Sequence, residues 1–234
     1  SLIIRCTLKI LAVETSSSTG SIALLEDRTL LSEWSVGAAG PHAAWLLPSI
    51  KAHLDLAGVP ISDIDLFALA SGPGSFTGLR IGVSTVKGLA WPLGKKVAGV
   101  STLAALALNI PFSSRLVCPV LDARKGEVYG ALFDTSSGLP KAVIEDSVMT
   151  LDALLEEVSK KTPLSSVVFL GKGLEVYSKE IEKKAPGALL APGLSLVRAS
   201  SVGLLGFDRI GEATDSSGLS PVYLRRSEAE IKFG

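Results

Sequence analysis

The chain has 234 residues, of which 47% are hydrophobic and 20% charged, and its 23 basic side chains balance 23 acidic ones. This apolar content suffices for a substantial core, so long disordered regions are not expected. A net charge of zero provides no overall field for gathering polyanions, which excludes a free-standing nucleic-acid-binding protein. If RNA is involved, we expect another subunit to hold it.

No segment is predicted to cross a membrane or to direct secretion. The longest apolar candidate, residues 100–112, includes Asn109 and Pro111, and a spanning helix needs about 20 mostly apolar residues. The first ten residues include Arg5 and Lys9 and lead into an apolar run without a small-residue cleavage site. We therefore expect a cytoplasmic protein.

The first half of the chain is predicted to form three strands, a helix, a strand and a helix. Strands are indicated by short apolar runs and helices by apolar residues every three to four positions. The strands are predicted at Lys9–Glu14, Ser21–Leu25, Thr29–Trp34 and Ile64–Ala70, and the helices at Ala43–Ala57 and Ser75–Trp91. Pro48 is expected to bend the first helix.

The second half repeats this order. Its strands are predicted at Leu116–Leu121, Glu127–Phe133, Ala142–Val148 and Val167–Leu170, its helices at Leu151–Lys161 and Leu174–Lys184, and a last helix near Leu196–Ile210. The residues around Val13-Glu14 also parallel those around Leu121-Asp122. These features predict an α/β fold made of two duplicated βββαβα lobes, residues 1–102 and 103–234, with a C-terminal tail that can return to the first lobe.

In each half an acidic residue ends the first strand just before a polar turn. Glu14 precedes Ser16, and Asp122 precedes Lys125. Backbone amides and short side chains in such a turn can face a phosphate. The alternative is ordinary hairpin chemistry, in which Asp or Glu beside Ser, Thr and Gly is common. When the turn motif is considered by itself, the hairpin interpretation is favoured. The repeat of the motif in both halves strengthens the phosphate hypothesis.

A glycine-rich segment, Gly72–Arg80, lies between a predicted strand and a predicted helix. It matches neither the P-loop nor the dinucleotide-binding pattern. Gly74 and Ser75 can contribute to an anion site at the helix N-terminus. The favoured interpretation is a tight turn that brings a glycine-containing helix against a close packing partner, with another helix as the expected partner.

The two helices of the first half have more apolar and small residues than one core face requires. The predicted core stripes are Ala43, Leu46, Leu47, Ile50, Leu54 and Ala57 on the first helix, and Leu79, Val83, Val86 and Ala90 on the second. The surplus residues are Trp45, Ala52 and Leu56 on the first, and Gly78, Gly82, Thr85 and Leu89 on the second. They either pack within the chain or form a subunit interface.

Conventional catalytic groups are scarce. His42 and His53 are the only histidines, and Cys6 and Cys118, the only cysteines, are expected to be reduced. No metal site is predicted from these ligands. Two enzymatic alternatives stay open: a peptidase-like hydrolase that uses Ser75, and an ATP-dependent phosphotransferase whose carboxylates are those that end the first strand of each half.

Six motifs in order resemble the bacterial TsaB (YeaZ) family of tRNA threonylcarbamoyladenosine biosynthesis proteins. They lie at Ile10–Ser16, Pro41–Pro48, Ser71–Gly82, Gly99–Leu103, Leu121–Tyr129 and Pro221–Arg225. The resemblance covers nearly the whole chain. It implies a duplicated ribonuclease-H-like fold of the actin-like ATPase superfamily.

The resemblance also implies a function. Family members are non-catalytic scaffolds for the catalytic subunit TsaD, which transfers a threonylcarbamoyl group to the adenosine next to the anticodon of tRNAs reading codons that start with A. A TsaE-type ATPase joins the assembly, and tRNA is expected to be contacted only through the complex. Without the partner, the same helices can form a homodimer.

By the same resemblance, the partner interface is predicted to comprise Trp45, Ala52, Leu56, Gly78, Gly82, Thr85 and Leu89, with Trp45 as the anchor. A degenerate nucleotide or anion site is predicted at Glu14, Ser16, Gly74, Ser75, Asp122 and Lys125. Glu14 stands where many family members have aspartate. No catalytic residue and no required cofactor are assigned, and weak ATP or ADP binding is expected at most.

Overall fold

The computed structural model describes residues 7–37 and 42–225. Arg5, Cys6, Pro41 and residues 226–234 of the predicted C-terminal tail lie outside the described residues. The described chain divides into two units. The first contains the residues up to Ser71, Thr77–Val100 and Arg198–Pro221, and the second contains Gly72–Phe76, Ser101–Val197 and the residues from Val222 onward. The lobe boundary between residues 102 and 103 stays a prediction.

The elements follow the predicted order. The strands are β1 (Lys9–Glu14), β2 (Thr19–Glu26), β3 (Thr29–Gly37), β4 (Leu66–Gly72), β5 (Lys96–Ser101), β6 (Leu116–Arg124), β7 (Glu127–Asp134), β8 (Lys141–Thr150), β9 (Val167–Leu170) and β10 (Leu189–Ala191). The helices are α1 (His42–Ala57), α2 (Phe76–Ala90), α3 (Thr102–Ala107), α4 (Leu151–Ser159), α5 (Leu174–Lys184) and α6 (Ala199–Asp208).

The two sheets have the same strand order. The first runs β3-β2-β1-β4-β5 and the second β8-β7-β6-β9-β10. In both, the three leading strands pair antiparallel and the fourth joins the first in parallel, as in the pairings of Leu11 with Leu24 and with Phe67. The predicted duplication of a βββαβα unit is therefore confirmed.

The first sheet is covered by helices on both faces. On one face, Leu11 and Val13 belong to a core cluster that also contains residues of α1 and α2. On the other face α6 lies so close that a Cβ on Gly203 would overlap Leu25 and touch Ala12. Because both faces are buried, β1, β2 and β4 are apolar along almost their whole length.

The second sheet is built in the same way. Its strands β6 and β7 and the helices α4 and α5 share a core cluster around Val120, Val128, Leu154 and Phe169. The helix α3 packs on β6 and β7 as well. Thus the helix after β5 belongs to the second unit, whereas the helix after β10, α6, belongs to the first.

Three short elements were absent from the sequence prediction: β5, α3 and β10. The strand β10 has only three residues, and α3 has six, all small or apolar except Thr102. Segments of this length carry too little periodicity to separate strand from helix. The remaining predicted helices and strands differ from the structure mainly at their ends.

Candidate functional site: the α1–α2 surface and the acidic turns

The buried side of α1 differs from the predicted core stripe. The helix buries His42, Leu46, Ile50, His53 and Leu54. The predicted core residues at positions 43, 47 and 57 are instead exposed. The prediction counted only apolar residues, so it missed that the two histidines occupy core positions and shift the stripe.

Both histidines have partners inside the first unit. The His53 ring lies 3.0 Å from the Ser32 hydroxyl through Nε2 and meets Trp34 edge-on at 5.0 Å. Burial lowers the pKa of His53, and a hydrogen bond with Ser32 opposes this shift. His42 Nε2 lies 2.8 Å from the carbonyl oxygen of Ser17. These contacts make both rings part of the packing of α1.

The outer side of α1 is exposed and has apolar residues at both edges. Leu56, which is 79% exposed, and Ala52 lie at one edge, and Leu47, which is 52% exposed, lies at the other, with Lys51 and Asp55 between them. Trp45 is only half-buried, and its ring occupies the space that a Cβ on Gly20 would take. The Trp45 ring is therefore partly packed within the unit, and Leu56 is the most exposed large apolar side chain of the helix.

The glycines of α2 face inward, which corrects part of the predicted interface. Gly78 and Gly82 are buried, and a Cβ on either would overlap Thr15. The Thr15 hydroxyl donates a hydrogen bond to the Gly78 carbonyl oxygen at 2.8 Å. The close packing partner of this helix is thus the turn after β1, not another helix, and both glycines are accounted for within the first unit.

The rest of the second stripe of α2 reaches the surface. Thr85 and Leu89 are half-buried, and Gly88 is exposed with open space where its Cβ would be. A groove of about 620 Å³ lies between α1, the segment after it and Leu89. Its lining is mainly apolar, and Lys51 and Asp55, 2.5 Å apart, are its charged residues.

The acidic turn of the first unit is bonded to itself. Glu14 and Ser16 are buried, and Glu14 Oε1 accepts hydrogen bonds from the Ser16 amide, at 2.5 Å, and from the Ser16 hydroxyl. The Glu14 carboxylate thus orders its own turn, as the hairpin alternative requires.

The second unit repeats this arrangement. Asp122 Oδ1 accepts a hydrogen bond from the Arg124 amide at 2.8 Å, and the Asp122 carboxylate lies 3.6 Å from the Arg124 guanidinium. Lys125 and Ser75 are exposed, and Gly74 is half-buried. The six residues of the predicted nucleotide site are therefore divided between the units, with Glu14 and Ser16 in the first and the other four in the second.

No group of three or more His, Cys, Asp or Glu side chains in residues 7–37 and 42–225 is arranged to hold a metal ion. Within the same ranges, no helix is long and apolar enough to cross a membrane. Cys118 is a buried free thiol there, and burial raises its pKa far above the ordinary range. This thiol lies in the core of the second unit and not at either acidic turn.

Comparison with known proteins connects this architecture to tRNA modification. The family model for "TsaD: tRNA N6-adenosine threonylcarbamoyltransferase" matches residues 37–233. The tRNA threonylcarbamoyladenosine biosynthesis protein TsaB of Bacillus subtilis is 35% identical over 226 residues, which cover 96% of this chain and 97% of that protein.

Solved structures agree with the sequence comparison. YeaZ from Pseudomonas aeruginosa is 30% identical, with a TM-score of 0.78 over 93% of this chain and 100% of that chain. Component A of the (R)-2-hydroxyglutaryl-CoA dehydratase of Acidaminococcus fermentans, at 11% identity, has a TM-score of 0.50 over 87% of this chain and 99% of its own. The second likeness concerns the fold alone, which is the actin-like ATPase fold.

Proposed function

Because the chain belongs to the TsaB family of tRNA threonylcarbamoyladenosine biosynthesis proteins, we propose that it serves this pathway as a docking subunit for a TsaD-type transferase. The family model that matches this chain is named for the transferase. This match supports a chain that has the same fold as its proposed partner. In this proposal the chain supports the transferase and does not itself carry out the transfer.

The observation that carries the docking proposal is an exposed apolar face on the first unit. We define this docking face as the exposed side of α1, which has Leu47 at one edge and Ala52 and Leu56 at the other, together with Thr85 and Leu89 of α2. Soluble proteins seldom expose several large apolar side chains beside an apolar groove without a partner. Gly78 and Gly82 are not part of it, since both face Thr15.

The geometry of the face suits a helical partner. Gly88 and Ser84 leave the outer side of α2 without bulk, so another helix could approach closely there. The groove beside Leu89 offers an apolar recess of about 620 Å³ for side chains of that partner. Trp45, half-buried over Gly20, would support the face from beneath rather than act as its main anchor.

The decisive experiment replaces Leu56 with glutamate and measures binding to a TsaD-type subunit by calorimetry. Leu56 is 79% exposed, so the variant is expected to fold normally. A buried carboxylate at the interface should weaken the Kd by about tenfold or more. The matched control is Val176→Glu on α5, where the native side chain is 62% exposed in the second unit. Equal affinity of the two variants and the wild type would refute the assignment of the face.

Finer features of the assembly stay predictions. They are the association of a TsaE-type ATPase, contact with tRNA only through the complex, a homodimer in the absence of the partner, and a cytoplasmic location. Weak binding of ATP or ADP at Glu14, Ser16, Gly74, Ser75, Asp122 and Lys125 also stays a prediction. The same applies to the expectation that the chain alone has no activity.

A further inference from the structure

Trp91 lies directly after α2 and exposes a large aromatic side chain. It is 79% exposed, whereas Trp34 and Trp45 of the same unit are half-buried and pack against the core of the first sheet. Folded proteins usually bury most of the surface of a tryptophan. At protein interfaces, tryptophan is among the residues that contribute most to binding.

The backbone around Trp91 is ordered as a helix end. The Trp91 amide donates a hydrogen bond to the Lys87 carbonyl oxygen at 3.0 Å, so helical bonding extends one residue beyond α2. The Gly94 amide donates to the Trp91 carbonyl oxygen at 3.0 Å. The Lys95 amide donates to the Ala90 carbonyl oxygen at 3.1 Å, and Gly94 has a φ of 61°, which completes a Schellman motif. The fold therefore fixes the position from which the indole extends, which lowers the entropic cost of binding it.

Trp91 lies beside Gly88 on the surface of the helix. Since each residue turns the helix by about 100°, Trp91 is about 60° from Gly88 on one side, and Leu89 is about 100° away on the other. Gly88 is exposed, and no atom of the described residues lies within 4 Å of where its Cβ would be. Glycine weakens a helix relative to alanine, and at Gly78 the close approach of Thr15 requires it. At Gly88 the open space suits the backbone of a second protein.

Charge indicates what kind of surface faces Trp91. The charged residues of α2 are Arg80 and Lys87, and both are basic. Lys87 precedes Trp91 by four residues, so it lies one turn away on the same side of the helix. On α1, the charges of Lys51 and Asp55 pair with each other at 2.5 Å. The exposed side of α2 thus has a basic border beside the indole, which complements an apolar recess with an acidic border.

We propose that Trp91 is the anchor of the docking face, which extends on α2 from Leu89 across Gly88 to Trp91. Its occupant is a helix of the TsaD-type subunit that crosses α2 at Gly88, with the indole in an apolar recess and an acidic residue opposite Lys87. This inference rests on the proposed docking function and adds to it the residue that contributes most to binding. Trp45, which the sequence predicted as the anchor, is half-buried and supports the face from beneath.

The first test measures the Kd of Trp91→Ala for a TsaD-type subunit by calorimetry. Removal of the indole should weaken binding by at least about 30-fold, as expected for an anchor residue. The matched control is Phe112→Ala in the second unit, where the native aromatic side chain is 75% exposed, and it should bind like the wild type. Lys87→Glu should also weaken binding, by a factor that shrinks as the salt concentration rises.

A second measurement detects burial of the indole without changing the bound protein. The chain has three tryptophans, and after labelling with fluorotryptophan, Trp91→Phe identifies the fluorine resonance of Trp91. The difference in its chemical shift between light and heavy water reports exposure to solvent, and it should fall when the unlabelled partner is added. A difference that persists in the complex would overturn the anchor, whatever the substitutions do to folding.

Comparison with Leu56→Glu separates this inference from the docking function. If Leu56→Glu weakens binding and Trp91→Ala does not, the docking face stands and the anchor is refuted. If neither changes the Kd, both are refuted. Sedimentation of the isolated chain tests a second copy as the occupant. Self-association that Trp91→Ala abolishes, with binding to the TsaD-type subunit unchanged, would overturn the proposed occupant in favour of a homodimer.

Discussion

The carboxylates of Glu14 and Asp122 occupy equivalent places in the two halves, and each accepts a hydrogen bond from the backbone amide two residues further along. The internal repeat in the sequence was sufficient to predict this equivalence. It could not reveal that both carboxylates order their own turns, because the same residue types serve a phosphate site and a hairpin. A nucleotide phosphate at either turn would have to be bound alongside these local bonds.

Asp146 is a polar residue that the sequence analysis did not single out. It lies where the β7–β8 register shifts, and its Oδ2 accepts a hydrogen bond from the hydroxyl of Ser101, at 2.5 Å. The Ser101 hydroxyl in turn accepts from the amide of Ala104 and caps α3. Burial raises the pKa of the Asp146 carboxyl to about 6, with the Ser101 hydrogen bond opposing and the charge of Glu145 adding to the shift.

We predict that Asp146→Asn stabilises the protein above neutral pH. Because the folded pKa lies above the ordinary value of 3.8, the contribution of Asp146 to stability is complete below that value and is lost as the pH rises through about 6. The ionised carboxylate then costs roughly 2 to 3 kcal/mol. Urea unfolding should give a larger gain at about pH 8 than at about pH 4. The neighbouring substitution Glu145→Gln is the control, and an equal gain from Asp146→Asn at both pH values would contradict the assignment.

At the scale of the element, α1 illustrates how far periodicity carries. The sequence predicted the helix to within one residue of its observed start. Leu46, Ile50 and Leu54 are buried as predicted. The burial of His53 was missed because it depends on Ser32 and Trp34 of β3. Similarly, the need for Gly78 and Gly82 was recognised, but Thr15 was not predicted as the group they make room for. Such pairings depend on tertiary contacts that one segment does not encode.

Burial of His53 predicts that the packing of α1 weakens in acid. Its pKa is lowered from the ordinary value of 6.5, so the neutral ring favours the folded state. The contribution of the neutral His53 ring to stability is complete above that value and is lost as the pH falls through the lowered pKa. Between about pH 7 and about pH 5, we expect the free energy of unfolding to fall less in His53→Gln than in the wild type. An NMR titration of the His53 ring with a midpoint at or above the ordinary value would contradict this.

At the scale of the whole molecule, the duplicated sheets were predictable, whereas the exchange of their third helices was not. Each half repeats the same strand order. However, α3, which comes after β5 of the first unit, belongs to the second unit, and α6, which comes after β10 of the second unit, belongs to the first. The repeat in the sequence cannot distinguish this from two self-contained halves, because a short apolar helix fits either sheet. The observed arrangement makes the first unit discontinuous along the chain.

The first sheet depends on α6 through both packing and polar contacts. Glu33 of β3 accepts a hydrogen bond from the Ser200 amide at 2.8 Å and pairs with Arg198 at 2.7 Å. The Ser21 hydroxyl accepts from the Ala199 amide at 2.9 Å. Glu33 and Ser21 thus accept hydrogen bonds from the first backbone amides of α6. They replace a capping side chain, because the N-cap residue Arg198 forms no capping hydrogen bond.

Removing α6 should therefore unfold the first unit although every residue of its sheet is retained. A chain that ends at residue 197 exposes the buried face around Ala12, Leu25 and Ala68, which α6 covers through Gly203 and Gly206. The free energy that this apolar contact contributes is expected to exceed the net free energy of unfolding of a domain, which is about 5 to 15 kcal/mol. A chain that ends at residue 221 keeps α6, loses only the residues from Val222 onward, and should retain amide protection in β1 and β2. Native protection of those strands in the shorter chain would mean that the first sheet is stable with one face uncovered.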